Sequence, residues 1–202
     1  MKIKFKKIYK KLNRKELNEI INILRSENKS SILAKLSIQN LTKYLHEVIK
    51  TKDLELFIVV QKNIVGYAIV AANPKYLLKN FEKFRKDFFI DLLLNLNFLV
   101  LFNIAISKLN FDKILISSKN KKLISESLNL NLLAIKKKYQ SKGLGKKFLK
   151  YIFKASTHKS KYITCETDNR RSNNFYKKRL NFKSIGKRIR FLKLQTILVK
   201  KI

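Results

Sequence analysis

The chain has 202 residues and carries 47 Lys and Arg against 13 Asp and Glu, a formal net charge of +34, while 46% of its residues are hydrophobic. That apolar content excludes a disordered polycation, and the length suffices for one domain, residues 1–202, burying roughly 70% of the surface its unfolded form exposes. The single Cys165 excludes an internal disulfide and a multi-cysteine metal site, and the isolated His46 and His158 have no metal-ligand spacing, so no metal is expected.

Lysines occur in almost every segment beside abundant Asn, Ile and Leu, the mixture an AT-rich genome imposes. The charge is therefore read first as a solubility property, with weak polyanion binding as its functional counterpart. The basic N-terminus MKIKFKKIYKKLNRKEL has no uninterrupted apolar stretch, so no signal peptide and a cytoplasmic location are expected.

Residues 2–10 alternate loosely between lysine and Ile3, Phe5 and Ile8, which suits a basic edge strand. In LNRKELNEIINILRSE, Leu17, Ile20, Ile21 and Leu24 recur at helical spacing, with Asn13 placed to cap the start. A second helix, SIQNLTKYLHEVIK, aligns Leu41, Tyr44, Leu45 and Val48, and His46 lies off that stripe, where a solvated side chain is expected. LELFIVVQKNIVGYAIVAA is two β-branched runs around Gln61-Lys62-Asn63, a hairpin in which Gly66 marks a bulge or a close approach. Pro74 fits the first turn of a following helix.

Residues 88–106, FFIDLLLNLNFLVLFNIAI, have the length of a membrane span. Asp91, Asn95, Asn97 and Asn103 argue against one, because unpaired polar groups at bilayer depth cost several kcal/mol. A span here would also part the hairpin from everything after residue 107, so they could not share a sheet. A helix covering the core is preferred, and no integral span is expected.

LNLNLLAI, residues 128–135, reads as a buried strand running into Lys136-Lys137-Lys138. Two of the four glycines, Gly143 and Gly145, then open an amphipathic helix. Phe148, Leu149, Ile152 and Phe153 form its apolar stripe, and Lys146, Lys150 and Lys154 lie on another face. A strand, a glycine-containing turn and a helix start expose unpaired N–H groups at the positive end of the helix dipole, an anion site. Glycines there are expected to remove Cβ atoms that would hold a phosphate off, and Lys142, Lys146 and Lys147 add charge. Neither a Rossmann nor a Walker pattern is present.

At this stretch the sequence resembles the GCN5-related N-acetyltransferases (GNAT). Gln140-Ser141-Lys142-Gly143-Leu144-Gly145 fits that family's Gln/Arg-x-x-Gly-x-Gly/Ala motif. Downstream, Asn169, Ser172, Phe175, Tyr176 and Phe182 take the places of its second motif. The segment from Tyr176 to Phe182 is one residue longer than usual, and Asn181 stands where glycine is common. The resemblance covers residues 128–186.

It implies an α/β (α+β) fold: a mixed, mostly antiparallel central sheet flanked by helices, with residues 74–125 a helical insertion on the acceptor side. It further implies that residues 140–145 hold the diphosphate of acetyl-CoA, with Gln140 as leading residue and Ser141, Lys142, Leu144 and Lys146 beside the glycines. Leu133, Ala134 and Ile135 would splay from the neighbouring strand toward the pantetheine arm, and Asn169 would face the cosubstrate. Tyr176 takes the place of a phenol that protonates the departing thiolate. Glu126 and Glu166 are the nearby carboxylates for deprotonating an amine, and Cys165 reads as a buried apolar residue.

The expected function is transfer of acetyl from acetyl-CoA directly to a primary amine, an amino sugar or a protein amine, with a homodimer left open. The alternative is a basic protein binding RNA, ribosome or acidic membrane without catalysis, for which no aromatic RNA-binding pattern or zinc module is present.

Overall fold

The protein is described by a computed structural model covering residues 2–29, 31–74, 84–94, 116–190 and 193–202. Its strands are β1 (Lys4–Ile8), β2 (Leu54–Val60), β3 (Ile64–Ala71), β4 (Leu128–Ile135), β5 (Tyr162–Thr167), β6 (Lys183–Arg190) and β7 (Lys193–Lys201). Its helices are α1 (Arg14–Glu27), α2 (Ile38–Lys50), α3 (Arg85–Leu94), α4 (Ser118–Ser125), α5 (Leu144–Ala155) and α6 (Arg170–Asn174). The strands form one seven-stranded sheet in the order β1-β2-β3-β4-β5-β7-β6. Only β4 and β5 run parallel, joined by the crossover through α5, and every other neighbouring pair is antiparallel.

Helix α1 starts where the sequence places its cap. Asn13 accepts from the Glu16 N–H and Glu16 returns to the Asn13 N–H, a reciprocal arrangement whose loss costs about 1 kcal/mol. Its stripe of Leu17, Ile20, Ile21 and Leu24 is buried and, with Leu41, Tyr44, Leu45 and Val48 of α2, packs one face of the sheet through Leu56, Ile58, Tyr67 and Ile69. Helix α5 covers the opposite face, where Phe148, Leu149 and Ile152 meet Phe57, Val59 and Ile163. The hairpin strands β2 and β3 are therefore buried on both sides, so they read as continuous apolar runs rather than alternating ones. The basic edge strand is also present: β1 pairs only with β2, and Phe5 stacks on Phe148 and Tyr151.

His46 differs from its expectation. It is half-buried, its Nε2 has no partner among the described residues, and burial, then Lys11 and Lys50, pushes its pKa down.

Of the apolar stretch 88–106, residues 88–94 lie in α3 and the rest lie outside the described residues, as does most of the segment after Pro74. Asp91 is buried because it is bonded: its Oδ2 accepts from the Ser37 N–H at 2.6 Å and from Asn40 Nδ2 at 2.9 Å, a carboxylate at the N-terminus of α2. Among the described residues no helix is long and apolar enough to cross a membrane. The stretch 74–125 leaves the sheet after β3 and returns at β4, where Ala71 pairs with Asn129 and Asn73 Nδ2 donates to Ser125 O.

The extra residue between Tyr176 and Phe182 is absorbed by a π turn, Phe175–Arg179, which takes up one residue more than an α turn. The chain then reverses at Asn181, whose φ of 58° is the left-handed backbone that glycine, and next asparagine, adopts most readily.

Candidate active site

Strands β4 and β5 pair at only two positions, Leu128 with Ile163 and Asn129 with Thr164. A buried hydroxyl cluster pins that end: Ser127 Oγ and Thr164 Oγ1 are 2.8 Å apart, Asn129 Nδ2 donates to Thr164 Oγ1 at 3.4 Å, and Thr164 Oγ1 donates to Leu128 O at 3.2 Å. Beyond it β5 stays with β7, with Cys165 opposite Leu198, while β4 stays with β3 as far as Ile135 opposite Gly66. A wedge opens between the strands, and Asn131, Leu132 and Leu133 are half-exposed in the middle of an otherwise buried strand. Leu133, Ala134 and Ile135 thus stand on the splayed part of β4. Its backbone groups on that side have no strand partner, so they can bond an extended, amide-bearing chain.

Gly66 permits the close pairing on the other side of β4, since a Cβ there would lie 2.8 Å from Ala134 O.

The wedge opens toward the loop between β4 and α5. A 3₁₀ turn, Lys137–Tyr139, is followed by left-handed backbone at Ser141 (φ 62°) and Gly143 (φ 73°). Among the described residues the N–H groups of residues 141–146 donate to no acceptor, and the first bond of α5 is Lys147 N–H to Gly143 O at 3.2 Å. Helices α1, α2, α4 and α6 each have a side-chain cap, from Asn13, Ser37, Ser117 and Asn169, whereas Gly143 leaves the start of α5 uncapped. Bare amides at a positive helix end, with Lys142, Lys146 and Lys147 alongside, form a cradle for an anion such as a diphosphate. Open space surrounds a Cβ on Gly143, so the glycine is needed there for its φ.

Gly145 corrects an expectation. A Cβ at this position would stand 2.9 Å from Cζ of Phe175, so the missing side chain lets α5 and the π turn approach rather than making room for phosphate. Asn169 has a local duty: its Oδ1 accepts from the N–H groups of Arg171 at 2.8 Å and Ser172 at 3.3 Å, capping α6, while the residue itself is exposed.

Tyr176 is buried against Phe175 and Phe182, with ring centroids 5.3 and 5.2 Å away. Burial, with the adjacent Cys165 thiol adding to it, holds its phenol well above the ordinary value, so it stays protonated across the physiological range. Cys165, first on β5 after the last paired position, is buried in the same cluster, and burial, then Glu166, pushes its thiol up.

The two carboxylates separate. Glu166 follows Cys165 on β5, and its Oε1 accepts from Arg188 at 2.9 Å. Glu126 is exposed at the C-terminus of α4, before β4 begins, on the closed side of the pinned rungs, and the structure does not bring it to the wedge.

Two contributors escape sequence reasoning. Glu27, the last residue of α1, accepts from the Lys137 N–H at 3.0 Å and from Gln140 Nε2 at 2.9 Å, and Gln140 Nε2 also donates to Ile135 O at 2.6 Å. Arg171 reaches Ser141 Oγ at 3.4 Å from α6. Neither carries a local sequence signal, since both contacts join segments far apart in the chain.

Comparisons with known proteins agree with this geometry. The model of the acetyltransferase (GNAT) family matches residues 124–182. No curated protein sequence matches the chain. Among solved structures, PH1933 from Pyrococcus horikoshii OT3 is similar with a TM-score of 0.60 and 17% identity, over 100% of this chain and 99% of that one. A Drosophila melanogaster polyamine N-acetyltransferase that forms N-acetylagmatine gives 0.59 and 10% identity over 100% of both chains. A GNAT-family acetyltransferase from Elizabethkingia anophelis with acetyl-CoA bound gives 0.53 and 13% identity, over 99% of this chain and 98% of that one. The family match thus falls on residues 124–182, which hold the wedge, the bare loop and the π turn, and the mixed seven-stranded fold as a whole is similar to those solved structures.

Proposed function

We propose that the protein is an N-acetyltransferase that moves the acetyl group of acetyl-CoA directly to a primary amine, residues 1–202 acting as one domain. The observation that carries this is the wedge between β4 and β5 leading from the uncapped start of α5. The fit is chemical as well as spatial: bare N–H groups and lysines suit a diphosphate, and an unpartnered strand edge suits the amides of a pantetheine arm. Acetyl-CoA bound there supplies an activated thioester.

The chain's own groups then have distinct tasks. The N–H groups of Ser141, Lys142, Gly143, Leu144, Gly145 and Lys146 grip the diphosphate. Leu133, Ala134 and Ile135 align the arm and orient the acyl carbonyl through their backbone. Tyr176, kept protonated by its burial, donates a proton to the departing sulfur. Glu166, next to Cys165 on β5 and paired with Arg188, is the carboxylate proposed to take the amine proton through water. The acceptor enters from the α1, α2 and α3 side, because α5 lies on the other face and α3 of the 74–125 insertion packs on α2. An amino sugar or a protein amine is the acceptor class.

The test is calorimetric titration with acetyl-CoA, followed by thiol release across a panel of amines. Saturable binding that is lost in Gly143→Asp, which sets a carboxylate at the bare amides, is the expected result. Absence of saturable binding to the wild type would sink the proposal.

A further inference from the structure

Resting on the acetyl-CoA reading above, we infer that Glu27 is a positioning residue, which sets the anion loop from the end of α1 and thereby tunes affinity for the cosubstrate. Its two carboxylate oxygens divide the work. Oε1 takes the Lys137 N–H at 3.0 Å, and Oε2 takes Gln140 Nε2 at 2.9 Å. Gln140 passes the connection on to Ile135 O at 2.6 Å, so one carboxylate ties the last turn of α1, the 3₁₀ turn and the end of β4 into a single unit. The Lys136 N–H, bonded to Val65 O at 2.8 Å, holds the loop from the other side. Held at both points, the segment that follows has its N–H groups from 141 to 146 left bare.

Local preference does not explain a carboxylate here. Glu27 sits at the negative end of the α1 dipole, where an acidic side chain is disfavoured. A negative charge beside a site for anions also opposes binding electrostatically. In a chain with 47 Lys and Arg, its hydrogen-bond partners among the described residues are a backbone amide and a carboxamide, both in the loop. What it contributes is geometry: a loop already held in its binding shape loses less entropy when it closes on a diphosphate.

The experiment has one arm without ligand and one with it. In the free protein, hydrogen exchange followed by NMR should show the Lys137 amide protected in the wild type and exchanging about tenfold faster in Glu27→Ala. Titration with CoA, which needs no turnover, should show Kd raised about tenfold in Glu27→Ala and in Gln140→Ala. The double variant should be no weaker than the worse single one, because both act through one contact. In the reaction, KM for acetyl-CoA should rise with kcat nearly constant. Should Glu27→Ala fail to fold by circular dichroism, Glu27→Gln keeps one acceptor oxygen and carries the same readouts at reduced size. Unchanged Lys137 exchange, strictly additive losses of affinity, or a fall in kcat at constant KM would overturn the assignment. A wild type that does not bind CoA would instead remove the functional reading, while Lys137 exchange would still judge the contact.

Discussion

At the residue scale, the two glycines of the loop look alike in sequence and do different things. Gly143 is needed for its backbone, and Ala there should cost about 1 kcal/mol, lowering Tm by about 2–4 °C with no steric clash. Gly145 is needed for space against Phe175, so Gly145→Ala should be rescued in part by Phe175→Leu, whereas Gly143→Ala should not. Thermal melts of the three single and two double variants separate the two causes. Tyr176 raises a similar question, since its ring is plainly part of the core and its hydroxyl is the group assigned to chemistry. Tyr176→Phe keeps the ring contacts with Phe175 and Phe182, so CoA affinity should stay within about twofold while kcat falls by about 100-fold or more. A parallel loss of affinity and stability would make this tyrosine structural only.

At the element scale, the site depends on two strands that are neighbours at one end and separate at the other, and on α5 being held firmly at its far end. That anchor is Glu55 of β2. Its carboxylate accepts from Ser156 Oγ at 2.6 Å, from the Thr157 N–H at 2.9 Å and hydroxyl at 2.7 Å, and from Lys7 at 2.5 Å, just beyond the C-terminus of α5. Burial, the largest effect, would raise its pKa, but these four hydrogen bonds together hold it below the ordinary carboxylate value. A depressed folded value means that the stabilisation is complete above the unfolded pKa and fades as pH falls through the folded one. Glu55→Gln leaves Lys7 buried without its counter-charge and should cost about 3 kcal/mol near neutrality. The gap to wild type should narrow in denaturant melts below about pH 4. A gap that is constant with pH would show that the charge plays no part.

At the scale of the whole molecule, the few carboxylates are concentrated in internal duties: Glu16 in the α1 cap, Glu19 on the Ile64 N–H, Asp91 on α2, and Glu166 on Arg188. With a net charge of +34, self-repulsion among the remaining cations opposes the compact state. Raising ionic strength from about 0.01 to 0.15 M shortens the screening length from about 30 to 8 Å, and Tm should rise. A falling Tm would show that attractive pairs dominate.

The sequence by itself determined what is local: the apolar period and Asn13 cap of α1, the hairpin around Gln61-Lys62-Asn63, and the glycine turn that opens α5. Periodicity, capping and backbone permissiveness act within a few residues, so those signals survive in one dimension. Tertiary structure alone decided that β4 leaves β5 after Asn129, that Phe175 claims the space over Gly145, and that Glu27 meets Gln140 from 113 residues away. It also placed Glu126 on the closed side of the rungs although it is close to β4 in sequence. Such contacts depend on strand order and on which end of a strand faces which helix, and no spacing along the chain encodes that.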